Sequence, residues 1–145
     1  MATRRLVVIG NGMAGARFVE DLIARGGRDR FVVSVFGDEP AGNYNRILLS
    51  GVLAGTHQPR DIFINPLPWY ADNGVTLHAG VRVTAIDVER QEVSSANRLV
   101  EPYDVLVMAT GSRGFLPPMD GVKTEAGTFK DGLFVFRTLD DCSAF

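Results

Sequence analysis

The chain of 145 residues is poor in the residue types that carry metal and redox chemistry. Its single cysteine, Cys142, excludes an internal disulfide, a CxxC redox pair and a cysteine-ligated cluster within the chain. His57 and His78 have no second ligand at a short spacing, so no metal site is predicted. The GxSxG motif of serine hydrolases is also absent. No catalytic residue is assigned, and any electron-carrying centre must come from a bound group.

Charge of one sign and long apolar runs are lacking as well. With 15 basic and 17 acidic residues the net charge is −2, which gives no basic field for a nucleic acid or an anionic membrane. No apolar run approaches the ~18–20 residues of a membrane span. The run that follows Arg4 and Arg5, from Leu6 to Ile9, is also too short for a signal peptide. We therefore expect a cytoplasmic protein without nucleic-acid or membrane partners.

Glycine, by contrast, is abundant, with 16 residues, and its placement outlines a βαβ unit. The β-branched run Leu6–Ile9 stops at a glycine and predicts a strand buried on both faces. Apolar residues at helical spacing predict a helix over Met13–Ala24, which Gly26 and Gly27 end. Phe31–Phe36 predicts the second strand.

The rest of the chain continues this α/β pattern. Residues 38–46 and 58–68 are interpreted as loop and irregular chain, and short helices are expected over 47–53 and from 67 to about 73. Strands are predicted over 75–78 and 105–108, with three short β-prone runs between them at 81–87, 92–95 and 99–103. The predicted fold class is α/β, Rossmann-like, with a parallel sheet and an inserted antiparallel β-meander.

The segment Gly10-Asn11-Gly12-Met13-Ala14-Gly15 fits the GxGxxG pattern between a strand and a helix. In this context Gly10 permits the tight turn, and Gly12, without a Cβ, lets a pyrophosphate approach the backbone. Gly15 lets the helix pack closely on the strand. The helix start then offers unpaired N–H groups and a positive dipole end to an anion. The motif predicts dinucleotide binding without separating NAD from FAD.

Two acidic residues follow the second strand, where such folds bind a ribose hydroxyl. Asp38 and Glu39 are both within reach, and the sequence leaves the choice between them open. Arg46, just past this strand, could pair with a pyrophosphate and favours FAD.

Five stretches together resemble one family. They are Gly10–Gly15, the segments 36–40 and 42–50 with "GNYNRILLS" as the most specific part, Ala109-Thr110-Gly111-Ser112, and residues 136–141. They resemble the FAD- and NAD(P)H-dependent reductases of the pyridine-nucleotide-disulfide oxidoreductase superfamily, and within it the N-terminal FAD module of nitrite reductase large subunits. The resemblance spans essentially the whole chain.

The resemblance implies a set of cofactor contacts. The glycine-motif backbone would hold the FAD pyrophosphate, Glu39 would bind the adenosine ribose, and Arg46 would face the pyrophosphate. Ser50 would lie near the isoalloxazine and the backbone of Val83 would meet the adenine. The cofactor-binding residues expected are Gly10, Gly12, Met13, Ala14, Gly15, Glu39, Arg46, Ser50, Val83, Ala109, Thr110 and Gly111.

The resemblance also implies what these residues belong to. Residues 1–136 would form the N-terminal portion of the FAD-binding domain, incomplete at its C-terminus, and 137–145 the start of a connection to an NAD(P)H-binding domain. The residues themselves also indicate a new element at 137–141, with Thr138 as a candidate helix N-cap. NAD(P)H, an iron–sulfur cluster and sirohaem would bind only in the remainder of the polypeptide, and a small subunit is a further expected partner. These residues alone are not expected to catalyse the complete reaction.

Three functions stay open on the sequence. The first is hydride transfer from NAD(P)H to FAD, with electrons passing on to nitrite. The second is an FAD-dependent reductase of a ferredoxin or rubredoxin. The third is a non-catalytic nucleotide-binding module.

Overall fold

The computed structural model describes residues 2–144, which group into two compact units. The first unit runs up to Asn45 and resumes over Phe63–Gly111, and the second contains Arg46–Ile62 and the residues from Ser112 onward. The division predicted after residue 136 concerns a connection to a further domain, and it stays a prediction.

A four-stranded parallel sheet forms the centre of the first unit. Its strands are β1 (Arg4–Ile9), β2 (Phe31–Gly37), β5 (Val75–Ala79) and β9 (Val105–Met108), in the order β5-β2-β1-β9. The apolar, β-branched runs expected to be buried are buried, since Leu6, Val8 and Val35 are at most 2% exposed. The predicted parallel sheet is confirmed.

Helix α1 (Met13–Ala24) packs its buried residues, Ala16 and Val19 among them, towards this sheet, with the ends that the sequence predicts. The short α3 (Leu67–Asp72) adds Tyr70 to the same core. This core is made of local, strongly patterned elements, so the sequence is sufficient to predict it.

The predicted meander is present as an antiparallel sheet of β6 (Val83–Asp87), β7 (Glu92–Ser95) and β8 (Val100–Pro102). Its Val93 is fully buried in a second apolar cluster together with Val7, Ile9, Phe36 and Tyr103. It is therefore packed against the parallel sheet as an insertion between β5 and β9.

An ion pair fastens the start of β1 to the start of β9. The Arg5 guanidinium lies 2.7 Å from an Asp104 carboxylate oxygen, and the Arg5 main-chain N–H donates to the other oxygen at 2.6 Å. The Arg5 side chain, as hydrogen-bond donor, lowers the pKa of Asp104 to about 2. Asp104 thus stays ionised over the whole physiological range.

Two further strands lie in segments that the sequence predicted as loop and irregular chain. They are β3 (Asn43–Tyr44) and β4 (Phe63–Asn65), which pair antiparallel, Asn43 opposite Asn65. The predictions of loop over 38–46 and irregular chain over 58–68 are wrong at these residues. Strands of two and three residues carry no readable period, and their pairing is set by distant chain.

The second unit contains little regular structure. A 3₁₀ turn at Arg46–Leu48 leads into α2 (Leu49–Leu53), which confirms the short helix predicted there, and a second 3₁₀ turn spans Pro59–Ile62. Between Ser112 and Thr138 the only regular feature found in the described residues is an antiparallel bridge of Lys123 with Phe129. The unit ends in α4 (Leu139–Ala144). None of the helices within residues 2–144 is long and apolar enough to cross a membrane.

Candidate dinucleotide-binding site

The order of the parallel strands defines a crevice in the first unit. From β1 the chain adds β2 and β5 on one side and then places β9 on the other, so the connections diverge between β1 and β9. Open α/β sheets bind ligands at such a switch point, outside the carboxyl ends of the strands. The segment Gly10–Gly15, here called the glycine turn, follows β1, and Ala109–Gly111 follows β9.

Two glycines of the glycine turn are required by the fold itself. Gly10 has φ = +113°, and a Cβ placed on it would come within 2.1 Å of the Ala109 carbonyl oxygen. A Cβ on Gly15 would come within 2.0 Å of the Gly10 carbonyl oxygen. The glycine turn and the Ala109 segment are therefore in close contact, and the roles predicted for Gly10 and Gly15 have a steric basis here.

Gly12 is different, because a Cβ placed on it would meet nothing within 4 Å. Its backbone angles, φ = −79° and ψ = −172°, suit any residue. Gly12 is the N-cap of α1, and no side chain caps the helix. The first helix amide with an acceptor among the described residues is that of Ala16, which donates to the Gly12 carbonyl at 3.0 Å. The turn therefore keeps open space and unpaired amides together, which fits an anion at the helix start.

Asn11, inside the glycine turn, is held by two residues that the sequence analysis did not assign to the site. The Asn43 side-chain N–H donates to the Asn11 carbonyl at 3.2 Å, and the Tyr70 hydroxyl donates to Asn11 Oδ1 at 2.6 Å. Tyr70 lies in the short helix α3, and it is buried. Its hydroxyl contact joins residues 59 positions apart, which no local pattern reveals.

The two acidic candidates after β2 are in different environments. Asp38 is exposed and forms an ion pair with Arg82. Glu39 is partly buried, accepts a hydrogen bond of 2.5 Å from the Tyr44 hydroxyl, and its carbonyl accepts the Gly80 N–H at 3.0 Å. The Glu39 carboxylate is thus held in place near the carboxyl end of β2, whereas that of Asp38 is engaged at the surface.

The remaining predicted residues are distributed over both units. Met13 and Ala14 lie in the first turn of α1, and Val83 begins β6 and packs against the second apolar cluster. Thr110 and Gly111 are exposed after β9. Arg46 and Ser50 belong to the second unit, where Arg46 Nη1 donates to the Arg137 carbonyl at 2.7 Å and Ser50 is exposed in α2. Every one of these roles toward a cofactor stays a prediction.

Candidate metal and nucleophile chemistry has little support in the described part of the chain. Residues 2–144 contain no group of three or more His, Cys, Asp or Glu side chains that could hold a metal ion. Burial raises the pKa of the Cys142 thiol, whose Sγ lies 3.7 Å from the Leu49 carbonyl oxygen. A raised pKa leaves this thiol protonated and a poor nucleophile at neutral pH.

Comparison with known proteins agrees with a dinucleotide-binding fold. The family model described as pyridine nucleotide-disulphide oxidoreductase matches residues 4–145. The chain is 42% identical over 144 residues to the assimilatory nitrate reductase electron transfer subunit of Bacillus subtilis (strain 168), covering 99% of this chain and 18% of that protein. It is 39% identical over 141 residues to a nitrite reductase [NAD(P)H] of the same organism, covering 97% and 17%. The chain thus spans less than one fifth of the length of these relatives.

The fold is shared with a solved reductase. The covalent putidaredoxin reductase–putidaredoxin complex matches with a TM-score of 0.81 and 27% identity, covering 99% of this chain and 33% of that chain. The likeness confirms the predicted Rossmann-like α/β fold class.

Proposed function

Since this chain belongs to the pyridine nucleotide-disulphide oxidoreductase family, whose members bind FAD, we propose that its glycine turn holds FAD in an NAD(P)H-dependent reductase whose electrons go on to nitrite. The proposal joins the family to the relatives whose printed names are nitrite and nitrate reductase components. Bound FAD would supply the chemistry by accepting a hydride from NAD(P)H and releasing electrons singly. The chain's own residues would bind and orient it.

The observation that carries the proposal is the open space at Gly12. Gly10 and Gly15 are explained by contacts inside the fold, but nothing in the described residues requires a glycine at position 12. A Cβ there would stand in the space that a pyrophosphate needs to approach the backbone. The fold therefore fits the cofactor that the family implies.

The glycine turn would bind the pyrophosphate through main-chain N–H groups of Gly12, Met13, Ala14 and Gly15. These amides sit at the positive end of the α1 dipole, which favours a negative charge. The Ala109–Gly111 segment, in contact with Gly10, would form the opposite wall of the crevice.

Glu39 is proposed as the residue that accepts the ribose hydroxyls. Its partial burial and its Tyr44 hydrogen bond support a fixed carboxylate, and the ion pair of Asp38 with Arg82 supports leaving Asp38 at the surface. Arg46 facing the pyrophosphate, Ser50 near the isoalloxazine and Val83 at the adenine complete the proposed contacts.

Partners and location belong to the same proposal. NAD(P)H, an iron–sulfur cluster and sirohaem would bind in the remainder of the polypeptide, to which this FAD module would dock, and a small subunit would be a further partner. A cytoplasmic location is part of the same proposal.

A second candidate acceptor is a small electron carrier. The similarity to the putidaredoxin reductase of the solved complex, at 27% identity, supports a reductase of a ferredoxin or rubredoxin as this alternative, whereas the relatives of higher identity support nitrite. Sirohaem-type cysteines in the polypeptide would favour nitrite, and their absence would favour the small carrier.

The test is a visible spectrum of the purified polypeptide, with the proposed remainder present, followed by anaerobic addition of NADH or NADPH. We expect flavin absorbance near ~450 nm that is bleached by one of the two nucleotides and restored by nitrite. Restoration by a ferredoxin or rubredoxin instead would establish the second candidate. A protein that stays colourless after FAD is added would contradict the proposal and leave a nucleotide-binding module.

A further inference from the structure

We infer that Asn43 is a positioning residue for the dinucleotide, because its side-chain amide fixes the peptide between Asn11 and Gly12 and so presents the Gly12 N–H to the pyrophosphate. The inference rests on the proposed function, since it assigns a role at the same glycine turn. It concerns a residue on β3, outside the glycine motif.

The geometry of the peptide bond provides the first step. The Asn43 side-chain N–H donates to the Asn11 carbonyl oxygen at 3.2 Å. In a trans peptide the C=O and the following N–H point in opposite directions, and the described chain contains no cis peptide. With the Asn11 carbonyl turned towards β3, the Gly12 N–H is turned away from β3. No acceptor for that N–H is found among the described residues, so it remains for a ligand.

Tyr70 holds the side chain of Asn11, the residue whose carbonyl Asn43 contacts. Its hydroxyl donates to Asn11 Oδ1 at 2.6 Å. Burial raises the pKa of Tyr70, so the hydroxyl keeps its proton and remains a donor at neutral pH. Asn11, Asn43 and Tyr70 therefore form one network around the glycine turn, here called the Asn11 network.

Asn43 is not explained by fold stability. The residue is 2% exposed, and its side-chain carbonyl oxygen has no hydrogen-bond partner among the described residues. A buried amide that is only half satisfied loses much of what its one hydrogen bond contributes. A leucine of similar size would fill the position without a desolvated carbonyl. A role in directing the Asn11 carbonyl accounts for the asparagine at this position.

The neighbouring strand supplies a matched control. Asn65 lies opposite Asn43 in the β3–β4 pair, is 3% exposed, and likewise donates its side-chain N–H in a single hydrogen bond. Its acceptor, however, is Glu20 Oε1 at 2.8 Å, in the third turn of α1 rather than in the glycine turn. The two asparagines share a strand pair, their burial and their side-chain chemistry. They differ in their acceptors, which are the Asn11 carbonyl for Asn43 and the Glu20 carboxylate for Asn65.

The experiment compares Asn43→Leu and Asn65→Leu in the full chain by titration with ADP and with adenosine, alongside FAD. The wild type should bind FAD and should bind ADP better than adenosine, because only ADP carries the diphosphate. For Asn43→Leu we expect the FAD and ADP affinities to fall about tenfold and the adenosine affinity to change less than about twofold. Asn65→Leu should leave the affinities for FAD, ADP and adenosine within about twofold of the wild type. Its unfolding midpoint should nevertheless fall at least as far as that of Asn43→Leu.

A second variant keeps the test decisive if Asn43→Leu does not fold. Tyr70→Phe retains the buried ring and removes only the hydroxyl, so we expect about a threefold loss of ADP affinity with adenosine unchanged. Suppose that the wild type binds FAD and ADP. If both variants then bind ADP as the wild type does, or lose as much affinity for adenosine as for ADP, the inference about Asn43 is overturned while the proposed function stands. A wild type that binds neither FAD nor ADP overturns the proposed function, and the inference with it.

Discussion

The helices α1 and α4 begin in opposite ways. At α1 the N-cap is Gly12, no side chain caps the helix, and the first turn contains no acidic residue. At α4 the Thr138 hydroxyl accepts the Asp141 N–H at 3.1 Å, and the Asp141 carboxylate accepts the N–H groups of Thr138 and Arg137, each at 2.7 Å. Within residues 2–144, the α1 start leaves its first N–H groups without an acceptor, and the α4 start pairs N–H groups with its own side chains.

The difference agrees with the binding role proposed for the start of α1 and with a structural role for the start of α4. Helix starts leave main-chain N–H groups without partners, and a reciprocal hydroxyl and carboxylate pair, as at Thr138 and Asp141, satisfies them locally. The start of α4 also carries Asp140 and Asp141, which repel an anion. The start of α1 lacks both features, so its donors and its dipole are available to the pyrophosphate that we propose there. The three predictions that follow alter one helix start or the other.

The largest effect is expected at Gly10, because α1 has no cap of its own and its start depends on the surrounding backbone. Gly10→Ala would place a Cβ 2.1 Å from the Ala109 carbonyl oxygen at a φ of +113°. Overpacking and left-handed strain together should lower the free energy of unfolding by ~3 kcal/mol or more. Urea unfolding of the full chain measures this. Gly55→Ala is the control, since Gly55 also has positive φ, +73°, but open space; equal losses for both would show that the contact with Ala109 is unimportant.

The next prediction gives the start of α1 the chemistry found at α4. Gly12→Asp adds a capping carboxylate where the backbone angles allow it and where no atom stands within 4 Å. The free energy of unfolding should stay the same or rise by about 1 kcal/mol, because aspartate is a good N-cap. FAD affinity should fall about a hundredfold or more, since the carboxylate takes the amides and repels the pyrophosphate. Calorimetric titration with FAD and a urea melt measure the two effects.

For Gly12→Asp the sign of the two changes matters more than their size. Loss of FAD binding together with lost stability would mean that Gly12 is needed by the fold, as Gly10 and Gly15 are. Undiminished FAD binding would mean that the cofactor lies elsewhere, and the contrast between the two helix starts would then have no functional meaning.

Local signals allowed the sequence to predict the first unit closely. The bounds of α1, Met13–Ala24, agree because apolar spacing marks its body and Gly26, in left-handed conformation at φ = +75°, follows its end. The N-cap expected at Thr138 is confirmed for the same reason, since its partner Asp141 is only three residues away. The parallel strands are apolar runs between turn residues, which also need no distant information.

The parts that the sequence missed all depend on distant pairs. The β3–β4 pair joins Asn43 to Asn65, and the Asn11 network joins position 11 to positions 43 and 70. Asn43 stands within the most family-specific stretch, but nothing near it in the chain indicates that its amide reaches the glycine turn. The proposal of Glu39 over Asp38 as the ribose ligand rests in part on the ion pair of Asp38 with Arg82, a residue 44 positions away.

The smallest effect is expected from the pH dependence of the α4 start. Partial burial raises the pKa of Asp141, but the hydrogen bonds with Thr138 and Arg137 and the charge of Arg46 together lower it by more, so the folded pKa lies below the unfolded one. A carboxyl with a lowered folded pKa stabilises the fold above its unfolded pKa of ~3.9, and that stabilisation is lost as the pH falls through the folded value. Protection of the Thr138 and Asp141 amides in hydrogen exchange should therefore be constant from neutral pH to about 5, after correction for the intrinsic rate, and decline below about 4.

Asp141→Asn should weaken this protection at neutral pH by about 0.5–1 kcal/mol and remove the decline at low pH. Asp140→Asn, which removes the same charge from the same turn, should keep the decline, and FAD affinity should not change in either variant. If both variants lost the decline alike, general charge rather than the reciprocal cap would stabilise α4, and the contrast with α1 would reduce to the acidic residues alone.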